Sequence, residues 1–203
     1  SSSGSATVWV TRDRGSVVLH ASKVPASESA LQGLDRIAAV KTRFGGRYVR
    51  GVDGVSEHGR RAWFYYVNGY LADRSAADYR LRPGDVEWWD YRTWSNPLDD
   101  AVVAGAFPEP LLHGYDGHRR RTVVLSVDRA LGRQVARLVG GRLAAAAPRE
   151  ANVVELARSA RPRARVELRR PGAGSPVRFV LDARFARRLL LHPDLLRRRY
   201  SAP

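Results

Sequence analysis

Arg61-Ala62-Trp63-Phe64-Tyr65-Tyr66-Val67-Asn68-Gly69-Tyr70, then Leu81-Arg82-Pro83-Gly84-Asp85-Val86-Glu87-Trp88-Trp89-Asp90-Tyr91-Arg92, decides the fold. Aromatic and β-branched runs that end in Asn-Gly, or follow Pro-Gly-Asp, predict strands joined by tight turns. Strand alternation sets Trp63, Tyr65 and Val67 on one face and Phe64 and Tyr66 on the other. In the second run Val86, Trp88 and Asp90 alternate with Glu87, Trp89 and Tyr91. Both faces of both strands therefore carry rings. One face fills a core, and the rings of the other need a second cover or a ligand. Asp85 is expected to stabilise its own turn.

The upstream sequence has the same character. Thr7–Arg12 and Ser16–Ala21 predict a hairpin around Asp13-Arg14-Gly15. From Ser29 to Val40 the apolar residues Ala30, Leu31, Leu34, Ile37 and Ala38 are spaced for a helix. Tyr48–Val52 leads to an Asp53-Gly54 turn. Two strands, a helix and further strands follow the order of a β-grasp sheet. The motif Trp63-x-Tyr65-x-Val67-Asn68-Gly69, with Gly84-Asp85 and Trp89-x-Tyr91, resembles the transcobalamin-like C-terminal domain family. Ser29-Ala30-Leu31 and Gly46-x-Tyr48-Val49 also fit. The resemblance covers residues 6–95 and implies a β-grasp fold, with a corrinoid (cobalamin-like) small molecule as the expected ligand. On that basis Tyr66, Asn68, Tyr70, Trp88, Trp89, Tyr91, Arg92 and Trp94 are candidate ligand-binding residues, set near strand ends or in loops. The long helical domain that completes the site in eukaryotic cobalamin carriers has no counterpart in this sequence.

Composition narrows the function classes. The chain has 203 residues and a net charge of +15, with no cysteine, which excludes disulfides, zinc-thiolate sites and cysteine catalysis. Arginine dominates the bases, lysine occurring only at Lys23 and Lys41; with abundant Ala, Gly and Pro this suggests a GC-rich bacterial coding sequence. No run of apolar residues is long enough for a membrane-spanning helix. Ser1–Ser5 reads as a short tether, a processed start or an expression scar, and the family resemblance predicts an extracellular or cell-surface protein. No nucleophile elbow, Walker loop or dinucleotide fingerprint occurs, so the chain is expected not to be an enzyme. His113-Gly-Tyr-Asp116-Gly-His118 has three potential metal ligands but sits in a glycine-rich loop, and is expected to be an ordinary turn. Cobalt ligation through His113 is not expected, since Leu111 stands where the cobalamin-ligating motif has Asp.

The charge is concentrated. Residues 1–100 carry a net +2 and residues 101–203 a net +13. Residues 96–118, rich in Pro and Gly, are expected to be a linker packed on a surface, and residues 119–203 a small basic α+β domain opening with a βαβ unit. In that domain Thr122–Val127 predicts a strand, and Asp128 caps a helix to Val139 that Gly140-Gly141 ends. Leu143–Ala147 predicts a returning strand, and Asn152-x-x-Glu155 a capping box for a short helix. Arg165–Arg169 and Val177–Leu181 predict strands, and Asp182 opens a last helix. Arg119, Arg120, Arg121, Arg169, Arg170, Arg197, Arg198 and Arg199 are candidates for binding an anionic surface polymer, a membrane or a transporter. Aromatics are scarce around them, which argues against single-stranded nucleic acid. Two functions of different class are therefore expected. One is non-catalytic capture or delivery of a corrinoid. The other is a self-associating cell-surface module whose aromatic face meets protein.

Overall fold

The computed structural model describes residues 4–96, 98–161 and 163–202, so Ser1–Ser3 of the expected tether lie outside the described residues. The chain is α+β and divides into two units, residues 1–100 and 101–203. The first contains β1 (Ser5–Arg12), β2 (Val17–Pro25), α1 (Ala30–Asp35), β3 (Val40–Arg43), β4 (Tyr48–Val52), β5 (Val55–Ser56), β6 (Arg61–Val67), β7 (Tyr70–Leu71) and β8 (Val86–Thr93). Its main sheet runs β2-β1-β8-β6-β7, with β8 parallel to β1 and antiparallel to β6, and a small sheet runs β3-β4-β5.

The turns form for local reasons. Asn68 (φ 50°) and Gly69 (φ 89°) both take the positive φ that joins β6 to β7. Gly84 (φ 85°) follows Pro83 in a turn closed by the Asp85 N–H donating to Arg82 O at 3.0 Å. As expected, Asp85 braces that turn, accepting from the Arg82 N–H at 2.9 Å and from Asn68 Nδ2 at 2.9 Å. The helix is shorter than its apolar spacing predicts. Ser29 and Gln32 form a capping box, but α1 has only 6 residues. The chain leaves it because Val40 pairs with Val52, while the Asp53 carboxylate accepts from the Ala39 N–H at 2.9 Å.

Strand β8 organises the sheet from its centre. On one face Trp88 meets Trp9 edge-on at 5.7 Å and Tyr66 at 6.0 Å. Trp88 Nε1 donates to Thr11 Oγ1 (2.8 Å), which donates to Asp90 (2.7 Å), and Asp90 also accepts from the Arg14 and Gly15 N–H groups. This chain of bonds fastens β8, β1 and the β1–β2 turn together. On the other face Trp89 stacks on Tyr65 at 4.7 Å and Tyr91 tilts against Trp63 at 5.2 Å. Each such pair contributes about 0.5–1.5 kcal/mol beyond its buried area. The small sheet lies on this second face, with Trp63 Nε1 donating to Val55 O and the Tyr91 hydroxyl to Ser56 O.

The second unit contains β9 (Thr122–Leu125), α2 (Arg129–Val139), β10 (Arg142–Leu143), β11 (Asn152–Ala157), β12 (Ala164–Leu168), β13 (Val177–Asp182) and α3 (Ala183–Leu191). The sheet order is β10-β9-β11-β13-β12, parallel except for β12. β9, α2 and β10 form the opening βαβ unit. The returning strand is shorter than Leu143–Ala147 and starts at Arg142. Asn152–Ala157 is a strand and not a capped helix. Flanked by β9 and β13, this segment carries the β-branched pair Val153-Val154, and Asn152 Oδ1 accepts from the Val177 N–H at 3.0 Å. Residues 101–118, expected within a linker, belong to this unit. Phe107 packs edge-on against Phe179 at 5.4 Å, and Leu111 and Tyr115 are buried. Pro97, at the start of the expected linker, lies outside the described residues.

Glu87 lies on the same face as Trp89 and beneath α1, where a Cβ on Gly33 would sit 3.2 Å from its Oε1. It is fully buried, and burial pushes its carboxyl well above the ordinary value although Trp89 Nε1 donates to it at 2.5 Å. The neutral acid is thus the folded form, and its contribution is complete below the unfolded pKa of about 4.3 and declines as pH rises towards the folded pKa. Glu87→Gln is expected to flatten the fall in melting temperature between pH 5 and 8 and to leave the protein more stable than wild type at the upper end. Calorimetry of both proteins across that range checks this.

Candidate functional site

The shortness of β7 creates the site. Because β7 has 2 residues and pairs only with Tyr66 and Val67, the first half of β6 has a strand neighbour on one side only. Arg61 exchanges two main-chain bonds with His58 at 2.9 Å, and Tyr65 O accepts from the Ala72 N–H at 3.1 Å. Between them, ladder alternation turns the Trp63 main chain outward. Along this edge runs an open hollow of about 730 Å³, lined by Trp63, Phe64 and Tyr65 of β6, by Arg43 and Tyr48, by Glu57 and His58, and by Leu71, Ala72 and Trp94.

The hollow combines ring surfaces with fixed polar groups. Glu57 accepts from the Tyr48 hydroxyl at 2.7 Å and pairs with Arg43 at 3.0 Å. Partial burial, with the Glu57 carboxylate beside it, pushes the Tyr48 hydroxyl up to about 12, so it remains a donor. Burial likewise raises Tyr65, whose hydroxyl donates to Arg74 O. Arg61 lies over the Tyr91 ring at 4.7 Å and bonds Asp13 at 2.5 Å, while its buried Nε–H has no acceptor among the described residues. The Arg43 guanidinium and the ring faces suit a flat ligand bearing acceptor groups. Among the described residues no group of three or more metal-ligating side chains is assembled. His113 pairs instead with Glu109.

Of the residues expected to bind ligand, Trp94 lines the hollow, half-buried just beyond β8. Tyr66, Asn68, Tyr70, Trp88, Trp89, Tyr91 and Arg92 are each no more than 4% exposed and build the interior. Arg92 is held over the Phe64 ring at 4.0 Å and donates to the Tyr66 hydroxyl at 3.0 Å. Asn68 braces the turns, its Oδ1 accepting from the Val86 N–H at 2.8 Å. The rings that do line the hollow include Trp63 and Tyr65, which are not among the expected ligand residues, and Tyr48 from the small sheet. The sequence signal for them is the Asp73-Arg74-Ser75 break just after Leu71, which stops β7 from covering the β6 edge.

The basic candidates fall into two groups. Arg119, Arg120 and Arg121 precede β9, and Arg169 and Arg170 follow β12 at the same end of the sheet. Arg120 and Arg170 both bond Glu150, holding its carboxyl down at about 2. Arg169 donates to the Pro148 and Ala151 carbonyls, and Arg119 to those of Leu111 and Gly140. Arg197, Arg198 and Arg199 lie elsewhere, in the C-terminal segment whose Ala202 pairs with Ala164 at the opposite end of β12. Two further hollows flank Arg119–Arg121, and a third lies beyond the carboxyl ends of β11 and β13.

A family model described as a domain of unknown function (DUF4430) matches residues 27–93. No curated protein matches the chain. Among solved structures, haptocorrin in complex with Cbi is similar at 16% identity and a TM-score of 0.39, over 46% of this chain and 26% of that one. A candidate metal binding protein from Ruminococcus gnavus ATCC 29149 is similar at 14% identity and a TM-score of 0.37, over 45% of this chain and 99% of that one. The chain thus spans about a quarter of the haptocorrin chain.

Proposed function

We propose that the chain is a non-catalytic, extracellular or surface-bound binding protein whose first unit takes a flat, ring-shaped ligand, a corrinoid first among them, in the hollow along β6. The observation that carries this reading is the hollow itself. Its volume of about 730 Å³ is within the range of small-molecule sites, and Tyr48, Trp63, Tyr65 and Trp94 supply ring surface beside the Arg43 guanidinium. The choice of a corrinoid follows from the Trp-x-Tyr-x-Val-Asn-Gly motif that the chain shares with the transcobalamin-like family. Binding would work through ring contacts and edge hydrogen bonds without ligation of cobalt. Titration calorimetry with a corrinoid, and with haem as the comparison macrocycle, tests it. Micromolar corrinoid binding that weakens about tenfold in Trp94→Ala is expected, since one ring contact is worth about 1 kcal/mol or more. No heat with either macrocycle would overturn the corrinoid reading.

A second reading, self-association at the cell surface, has its own observation. Strand β2 is a sheet edge of 9 residues, and Val17, Val18 and Leu19 along it are 46%, 46% and 36% exposed. A long apolar edge pairs readily with another strand. On this reading the chain forms dimers or larger species in light scattering, and Val18→Lys returns it to monomer. A wild-type monomer at high concentration contradicts it.

A further inference from the structure

We propose that the second unit carries an oxyanion site, suited to a phosphate or phosphoryl group, in the hollow between the start of β9 and the Gly140-Gly141 end of α2. The inference is independent of the ligand proposed for the first unit. The hollow, of about 380 Å³, is lined by Arg119, Arg120, Arg121, Arg142, Thr122 and the two glycines. Of the four hollows described, it alone has no carboxylate in its lining: the others include Glu57, Asp128 with Asp182, and Glu150.

Three features turn this from a charged patch into a site. First, Arg119 and Arg120 are already committed, to the Leu111 and Gly140 carbonyls and to Gly174 O and Glu150. Arg121 and Arg142 are exposed and make no side-chain hydrogen bond or ion pair among the described residues. Their charges are therefore available, and an oxyanion between them would relieve their mutual repulsion. Second, Thr122 is 3% exposed, and its Oγ1 has no hydrogen-bond partner among the described residues. A buried hydroxyl without a partner is costly, and an oxyanion would accept its proton. Third, the glycines let the chain approach closely. A Cβ at Gly140 would lie 2.6 Å from Arg119 Nη2, and one at Gly141 2.7 Å from Thr122 O. The negative end of α2 at Gly140 is met by Arg119, so it does not cancel the field of Arg121 and Arg142.

Inorganic phosphate titrated into the full chain at low salt, followed by calorimetry and thermal melting, is the test. The expected result is saturable binding that raises the melting temperature and weakens about a hundredfold in Arg121→Ala/Arg142→Ala, since each of the two lost charge-assisted bonds costs about tenfold. Both positions are exposed, so this variant keeps the fold, and circular dichroism verifies it. Thr122→Val is expected to weaken phosphate while making the phosphate-free protein as stable as wild type or more so. Vesicles containing phosphatidylglycerol separate the sources of the group. Co-sedimentation that free phosphate reverses assigns a lipid headgroup, and phosphate binding without co-sedimentation assigns a soluble phosphoryl group. Equal phosphate affinity in wild type and the double variant, or no saturable binding, overturns the site.

Discussion

A central strand with a large ring on each face needs two covers, and that constraint shapes the first unit. In β8, Trp88 and Trp89 point to opposite faces and both are buried. The small sheet covers Trp63 and Tyr91, and α1 stands over Glu87, the acceptor of the Trp89 indole, on the same face. On the other face, Trp88 and Asp90 are tied through Thr11 to β1 and the first turn. Ring packing alone leaves the indole N–H groups in need of acceptors. Thr11 and Glu87 provide them, one from a neighbouring strand and one as a buried acid. The sheet is therefore specified by polar bonds as well as by area, and along β6 it leaves open the stretch that β7 is too short to cover.

The turns of this architecture were legible because their causes are local. Asn68-Gly69 and Pro83-Gly84 name backbone conformations that few other pairs tolerate, and alternation between them sorted the rings onto faces correctly. Non-local causes were not legible. The end of α1 depends on Val52 and Asp53, well downstream of a helical pattern that continues past it. At Asn152 a local capping pattern gave way to pairing on both sides by β9 and β13, although Val153-Val154 hinted at the strand. Residues 101–118 look like a linker because of their prolines, yet Phe107, Leu111 and Tyr115 are part of a core.

The candidate site was less legible than the fold for a related reason. Ring identity shows that a residue prefers contact, not whether protein or ligand supplies it. Trp94 was found because it stands beyond its strand. Trp88, Trp89 and Tyr91 were assigned to ligand although their strand sits at the middle of the sheet, a fact that only the β1–β8 pairing reveals. Among the arginines, sequence clustering located the charge but not its partners. Glu150 and several carbonyls take up Arg120, Arg169 and Arg170, while Arg142, isolated in sequence, joins Arg121 in the second unit.

The account rests on one division: Trp88 and Trp89 are interior, and Trp94 belongs to the open hollow. Oxidative footprinting of the tryptophans, read by mass spectrometry with and without a corrinoid, tests that division directly. The account predicts labelling at Trp94 that the corrinoid suppresses, and no labelling at Trp88 or Trp89 in either state. Labelling of Trp88 or Trp89 comparable to that of Trp94, or corrinoid protection at those two and not at Trp94, would contradict it.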